Sequence, residues 1–155
     1  MKTHNSFSLI SRKGFTLIEL LVVIGVLAVL LAIVLVAINP ARQFSQANNT
    51  KRSSDVSAIL NAVTQYAADN RGTLPTGITT SSQAITDAAA NICAALVPTY
   101  IAALPVDPLT NNGTPIATCS GTYATGYTIV RSASDNRITV TAPAAELGAA
   151  ISVTR

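Results

Sequence analysis

The chain divides by hydropathy before it divides by anything else. From Phe15 to Ile38 an apolar run is interrupted by one ionisable side chain, Glu19. Roughly 24 residues at about 1.5 Å each would span about 36 Å as a helix, enough to cross a hydrocarbon core of about 30 Å with some tilt. After Asn39-Pro40 the pattern changes: Arg42 to Asp55 is polar on all sides, and Val56, Ile59, Leu60, Val63 and Ala67 then recur at helical spacing. That is a single apolar stripe on a polar helix, which Gly72 and Pro75 end, with Asn70-Arg71 in the last turn. Pro40 lacks an N–H and crowds the preceding turn, so it should kink or locally open the long helix. Ala28 and Ala32, with Gly25 nearby, form a small-xxx-small pair where helices could approach closely; the alternative is ordinary alanine filler.

Past Gly72 the pattern shortens. Ser81-Ser82 is placed to cap a helix running from Gln83 to Leu96, followed by a turn-rich connector from Pro98 to Pro105. Tyr127–Arg131 and Arg137–Thr141 have strand length and composition, with Asp135-Asn136 supplying turn chemistry between them, and Ile151–Arg155 adds a third candidate strand. The expectation is an α+β chain in which a small antiparallel sheet buries one face on the stripe of the long helix. A sheet this small has no core without that helix. The polar stretch from Arg42 to Asp55 reads as a solvated face, although Arg42, Lys51, Arg52 and Asp55 could also pair between subunits.

Composition changes the picture in two ways. The 155 residues are 49% hydrophobic and only 11% charged, and the apolar excess sits in one segment. The formal charge of +3 is also uneven, because Lys2, Arg12 and Lys13 all precede the apolar run. Without them seven Lys/Arg face seven Asp/Glu, so the chain from Phe15 onward is formally neutral and carries no basic cluster beyond Lys51-Arg52. Cys93 and Cys119 both follow the run. In an exported domain an even count points to one disulfide, closing a loop of about 27 residues and contributing about 3–4 kcal/mol. The alternative is two reduced thiols in a cytosolic domain. Two cysteines and one histidine, His4, do not make an ordinary metal site.

Three readings compete for the first forty residues. A secretory signal should have an apolar region of about 7–15 residues ending in small residues, and this run is too long. A plain anchor is not oriented by charge, since Arg42, Lys51 and Arg52 balance the cations on the other side. Neither explains Glu19, which costs about 2.5–3.5 kcal/mol on insertion scales and calls for a partner unless it lies at headgroup depth. The segment Lys13-Gly14-Phe15-Thr16-Leu17-Ile18-Glu19-Leu20 closely resembles the cleavage and methylation motif of type IV prepilins, the family that includes the pseudopilins of type II secretion.

That resemblance implies a pilin fold and a division into a leader (1–14, removed), a long helix (15–71, with 15–38 as membrane span and filament core) and a globular head (72–155). It implies cleavage after Gly14 by prepilin peptidase on the cytoplasmic side, N-methylation of Phe15, and pairing of Glu19 with the Phe15 amine of a neighbouring subunit. The implied partners are further copies of the chain, the peptidase and pilus assembly machinery, and the inner membrane before assembly. The implied destination is an extracellular pilus. The leading function is a major pilin-like subunit serving adhesion, motility or DNA uptake, and the second is a major pseudopilin. Leu104-Pro105-Val106-Asp107-Pro108, followed by Gly113, resembles the loop of major pseudopilins, which bind calcium near their C-terminal loops. The oxygen ligands are sparse here, so no cofactor is expected and calcium is left open. Asn48-Asn49-Thr50 and Asn112-Gly113-Thr114 match glycosylation sequons, a pattern short enough to arise by chance. A membrane-anchored binding module is the alternative of another class, and a DNA-binding minor pilin stays open although nucleic acid is not an expected partner. An enzyme is not expected, because the head offers no histidine, no nucleophile-base pair and no phosphate cradle.

Overall fold

The computed structural model describes residues 14–155 and divides into two compact units at Pro40. The leader residues Lys2, His4, Arg12 and Lys13 lie outside the described residues.

The first unit is one helix, α1 (Leu17–Ile38), apolar along its length but for Glu19 and with no buried residue. Thr16 caps it in extended conformation, and Asn39 ends it in the left-handed region at φ 47° and ψ 79°. Pro40 follows as the first residue of the next helix, where its missing N–H breaks no hydrogen bond. The junction is therefore an interruption at Asn39, with the proline starting a helix on its far side.

The second unit is built on α2 (Pro40–Asp69), β1 (Gln83–Thr86), a one-turn helix α3 (Cys93–Leu96), β2 (Ala124–Arg131), β3 (Ile138–Ala142) and β4 (Ile151–Thr154). The strands pair antiparallel in sequence order, with Gln83 opposite Ile129, Ile129 opposite Val140 and Val140 opposite Val153. Alternation along β2 and β3 turns Thr125, Tyr127, Ile129, Ile138, Val140 and Ala142 to one face. Against that face α2 lays Val56, Ile59, Leu60 and Val63, the i, i+3, i+4, i+7 stripe, and each is buried to within 1%. The fold is α+β and pilin-like. Fully burying a Leu, Ile or Val contributes about 1.5–3 kcal/mol relative to exposure, so this seam supplies the unit's core.

Two closures complete it. Beyond Asp69, the Gly72 N–H reaches the Ala67 carbonyl at 2.7 Å while Arg71 takes a left-handed φ of 54°, a six-to-one closure of the helix end. Between β1 and β2, Cys93 and Cys119 form a disulfide with Cα atoms 5.5 Å apart, tying buried α3 to the half-buried return of the chain. Gly77 is required by packing: at φ 102°, an added Cβ would stand 3.0 Å from the Asn91 nitrogen.

The expected helix from Gln83 to Leu96 is not formed. Gln83–Thr86 is the edge strand β1, and only Cys93–Leu96 is helical. The physical reason lies in the sheet. β1 covers the open hydrogen-bonding edge of β2 and drops Ile85 into the core with no exposed surface, a tertiary gain that outweighs the helical preference of the alanines behind it. Ser81 and Ser82 cap nothing there; the Ser81 N–H bonds instead to the Thr79 hydroxyl.

Candidate functional sites: the helix entry and a buried arginine

At the start of α1 the sequence Thr16-Leu-Ile-Glu19 folds as a capping box. The Glu19 N–H donates to Thr16 Oγ1 at 3.2 Å, and the Thr16 N–H and hydroxyl both donate to Glu19 Oε2 at 2.8 Å. The carboxylate thus meets the partial positive charge of the helix N-terminus, while Oε1 accepts no hydrogen bond among the described residues. Phe15 is 89% exposed. A Cβ built at Gly14 would meet nothing within 4 Å, and the same holds at Gly25. Packing among the described residues therefore requires glycine at neither position. Gly25 opens a shallow apolar notch on α1 between Val22, Val26, Val29 and Leu30.

The second constellation corrects the expected solvated face on α2. Arg52 is fully buried, 0% exposed. Its Nε and Nη2 donate to the two oxygens of Asp107 at 2.6 and 3.2 Å, and its Nη1 donates to Glu146 Oε2 at 2.8 Å and to Asn49 Oδ1 at 3.0 Å. Two-pronged pairing of this kind suits the planar guanidinium, which is held charged mainly by the Asp107 hydrogen bond, against the penalty of burial. Glu146 is further gripped by Ser45 and Asn48, and its pKa is lowered, first by Arg52 and then by these two. Asn49 exchanges two more bonds with the Glu146 main chain. Beside this cluster the Tyr127 hydroxyl donates to Asp55 Oδ2 at 2.7 Å, and Lys51 bridges Asp55 and the Val106 carbonyl. Burial, and then the Asp55 carboxylate, push the Tyr127 phenol upward.

One turn of α2 is thus bolted to two loops, around Asp107 and Glu146, that lie 55 and 94 residues further along. Gly126 makes room for this. It sits at φ 81° in β2, and a Cβ there would stand 2.8 Å from Asp107 Cβ and 2.9 Å from Thr110 Oγ1. The pseudopilin-like segment Leu104–Pro108 is therefore structural here: both Asp107 oxygens are engaged, Oδ1 also by the Leu109 N–H. No group of three metal-ligating side chains occurs among the described residues. Of the two sequons, Asn48 and Asn49 have their amides spent on Glu146, whereas Asn112 is exposed in a 3-10 turn. Glu146 was not singled out by its sequence, because nothing near it has a periodicity that points at α2.

Residues 9–35 match the family defined as the prokaryotic N-terminal methylation motif, and the described part of that match is the capped entry and most of α1. The chain therefore carries the N-terminal methylation motif of type IV pilins and pseudopilins and is a type IV pilin-like protein. The motif is that of pilin-family proteins, which are structural and non-enzymatic and are processed by a peptidase and assembled into filaments. No curated protein and no solved structure matches the chain.

Proposed function

We propose that the protein is the major structural subunit of a type IV pilus, made as a single-pass inner-membrane precursor and assembled outside the cell through α1. The observation that carries this reading is the motif match, which falls on a helix entry with a capped glutamate and on a 22-residue apolar helix that buries nothing. In this reading prepilin peptidase cuts after Gly14 and methylates Phe15. The open space around Gly14, which no described residue fills, then serves close approach by the peptidase. The new Phe15 ammonium of one subunit pairs with Glu19 of the next, whose Oε1 accepts no hydrogen bond among the described residues. A charge in hydrocarbon gains most from a partner that assembly supplies, so registered docking is favoured over any other.

Mass spectrometry of the mature N-terminus tests the processing: an N-methylated Phe15 is expected, and a chain beginning at Met1 or cut elsewhere would overturn it. The Glu19→Ala prepilin should be cleaved normally yet yield few or no filaments by negative-stain imaging; wild-type filament numbers would refute the pairing. A major pseudopilin is the second reading, favoured by Leu104–Pro108. Long surface fibres lost with the gene support the pilus, and loss of protein secretion without loss of surface fibres supports the pseudopilin.

A further inference from the structure

A cleft of about 720 Å³ opens in the second unit, between the end of α2, the turn from Gly72 to Ile78 and the near ends of β2 and β3. Two arginines line it, Arg131 and Arg155, together with Asn136, Thr73, Thr76 and Ile138, and no carboxylate side chain is among the residues that line it. Their placement follows from strand register. Arg131 stands opposite Ile138, and Ile138 exchanges both main-chain hydrogen bonds with Arg155 at 2.7 and 2.9 Å. Directly opposed residues in antiparallel strands share a face, so Arg131, Ile138 and Arg155 form one row across three strands. Ile138 belongs to the core, so two guanidinium groups flank the core's edge on the face that α2 covers.

The electrostatics of this row are incomplete. Arg131 Nε is buried and has no hydrogen-bond partner among the described residues, and Arg131 makes no ion pair there. Arg155 is engaged once, through Nη1 to the Asn61 amide oxygen. The contrast with Arg52, whose guanidinium is matched by two carboxylates, is direct. A buried donor left without an acceptor is costly in a folded chain, and an acceptor supplied from outside the chain would relieve it. Two arginines in a cleft whose lining includes no acidic side chain favour an oxyanion, which a guanidinium fork binds bidentately. The cleft is within the size range of small-molecule sites, about 300–1,000 Å³, and its hydroxyls and amide suit a polyhydroxylated body.

We infer that this cleft is a binding site for a sugar-sized organic anion, whose carboxylate or phosphate ester is held by Arg131 and Arg155. The site is independent of the apolar helix and of the filament reading, since every lining residue lies in the second unit.

The test uses the full chain as a monomer in neutral detergent micelles, at constant ionic strength, with glucuronic acid, glucose 6-phosphate, glucose and inorganic phosphate as probes. Calorimetry gives affinities, and the ¹H–¹⁵N resonance of Arg131 Nε–H reports a change at the Arg131 guanidinium. Saturable binding of at least one sugar acid is expected, with a shift of that resonance and none with glucose. Preference for glucuronic acid would assign the natural group as a carboxylate, and preference for glucose 6-phosphate as a phosphate ester. Arg131→Gln should weaken binding at least tenfold and Arg155→Gln at least threefold. Arg137→Gln removes the same charge outside the cleft and should stay within twofold of the parent. The inference fails if no sugar acid saturates, if Arg137→Gln weakens binding as much as Arg131→Gln, or if inorganic phosphate binds as tightly as both sugar acids. Should Arg131→Gln not fold, Arg155→Gln and the wild-type Arg131 resonance still decide.

Discussion

Arg52 shows how one side chain can hold distant parts of a fold together. Its guanidinium and the Asp107 carboxylate have no exposed side-chain surface, so removing either leaves the other charged and dry. Loss of one member of a buried pair typically costs about 3–5 kcal/mol, which is a large part of a small unit's stability. Arg52→Met should therefore lower the unfolding free energy by about that much, read by denaturant titration of the full chain in detergent. Lys51→Ala, next door in sequence but 42% exposed, should cost well under the Arg52→Met loss, because Asp55 keeps its Tyr127 hydrogen bond and water can replace the half-exposed ammonium. Equal losses for the two variants would mean that the buried cluster is not the anchor. Gly126 tests the same joint from the other side. Gly126→Ala needs a left-handed alanine, at about 1–2 kcal/mol, and also pushes on Asp107 and Thr110. It should destabilise by more than about 2 kcal/mol, again by denaturant titration, where a glycine-to-alanine change in an ordinary strand would be mild.

At the scale of elements, α2 works as a spine with two different seams. Its lower half, from Val56 to Val63, packs by apolar contact, while the turn from Ser45 to Arg52 packs by polar bonds to the Asp107 and Glu146 loops. The two seams respond differently to pH. Glu146 ionises more readily in the fold than the ordinary carboxylate value of 4.5, so its contribution is present above that pH and is lost as pH falls through the lowered value. Tyr127 is shifted upward from 10.0, so the fold favours the neutral phenol: that contribution is present below pH 10 and is lost as pH rises through the raised value. Unfolding free energy against pH should show a plateau bounded by an acid and an alkaline limb. Glu146→Gln should flatten the acid limb and Tyr127→Phe the alkaline one; limbs unchanged in these variants would place the titration elsewhere. The edge strand β1 belongs to this scale as well. Its residues have enough helical preference to mislead a local reading, and only the open edge of β2 makes them a strand.

For the whole molecule the decisive fact is division of labour between two units. The first exposes an apolar helix that water does not tolerate, with Leu17 to Ile38 unburied along its whole length. Burial of apolar surface is worth about 25 cal/mol per Å², so leaving this helix in water is strongly unfavourable, which is what the proposed passage from membrane to filament avoids. The second unit carries its own core, disulfide and polar anchors. A chain of residues 41–155 should therefore be soluble and unfold cooperatively, with no need of detergent, as measured by sedimentation and circular dichroism. A fragment that aggregates or lacks a cooperative transition would show that the core borrows stability from the helix before it.

The sequence by itself determined whatever depends on neighbours a few residues away. The methylation motif, the length and apolarity of α1, the stripe from Val56 to Val63 and the three strands after Tyr123 all follow from contiguous spacing. Periodicities of 3.6 and 2 and the placement of glycine and proline are properties of a short window, so they can be read before the chain folds. The cysteine count fixed only which partner a disulfide would join, while the 5.5 Å approach of the two Cα atoms that allows the bond came from the fold. Tertiary structure alone decided that Gln83–Thr86 is a strand, that Arg52 leaves solvent to meet Asp107 and Glu146, and that Arg131 and Arg155 converge on one cleft. Each of these depends on partners from 24 to 94 residues away, brought together by sheet register and helix docking. Charge burial is a property of that assembled environment. In a linear window Arg52 is one more polar residue on a polar turn, and only the folded chain supplies the two carboxylates that make its burial stable.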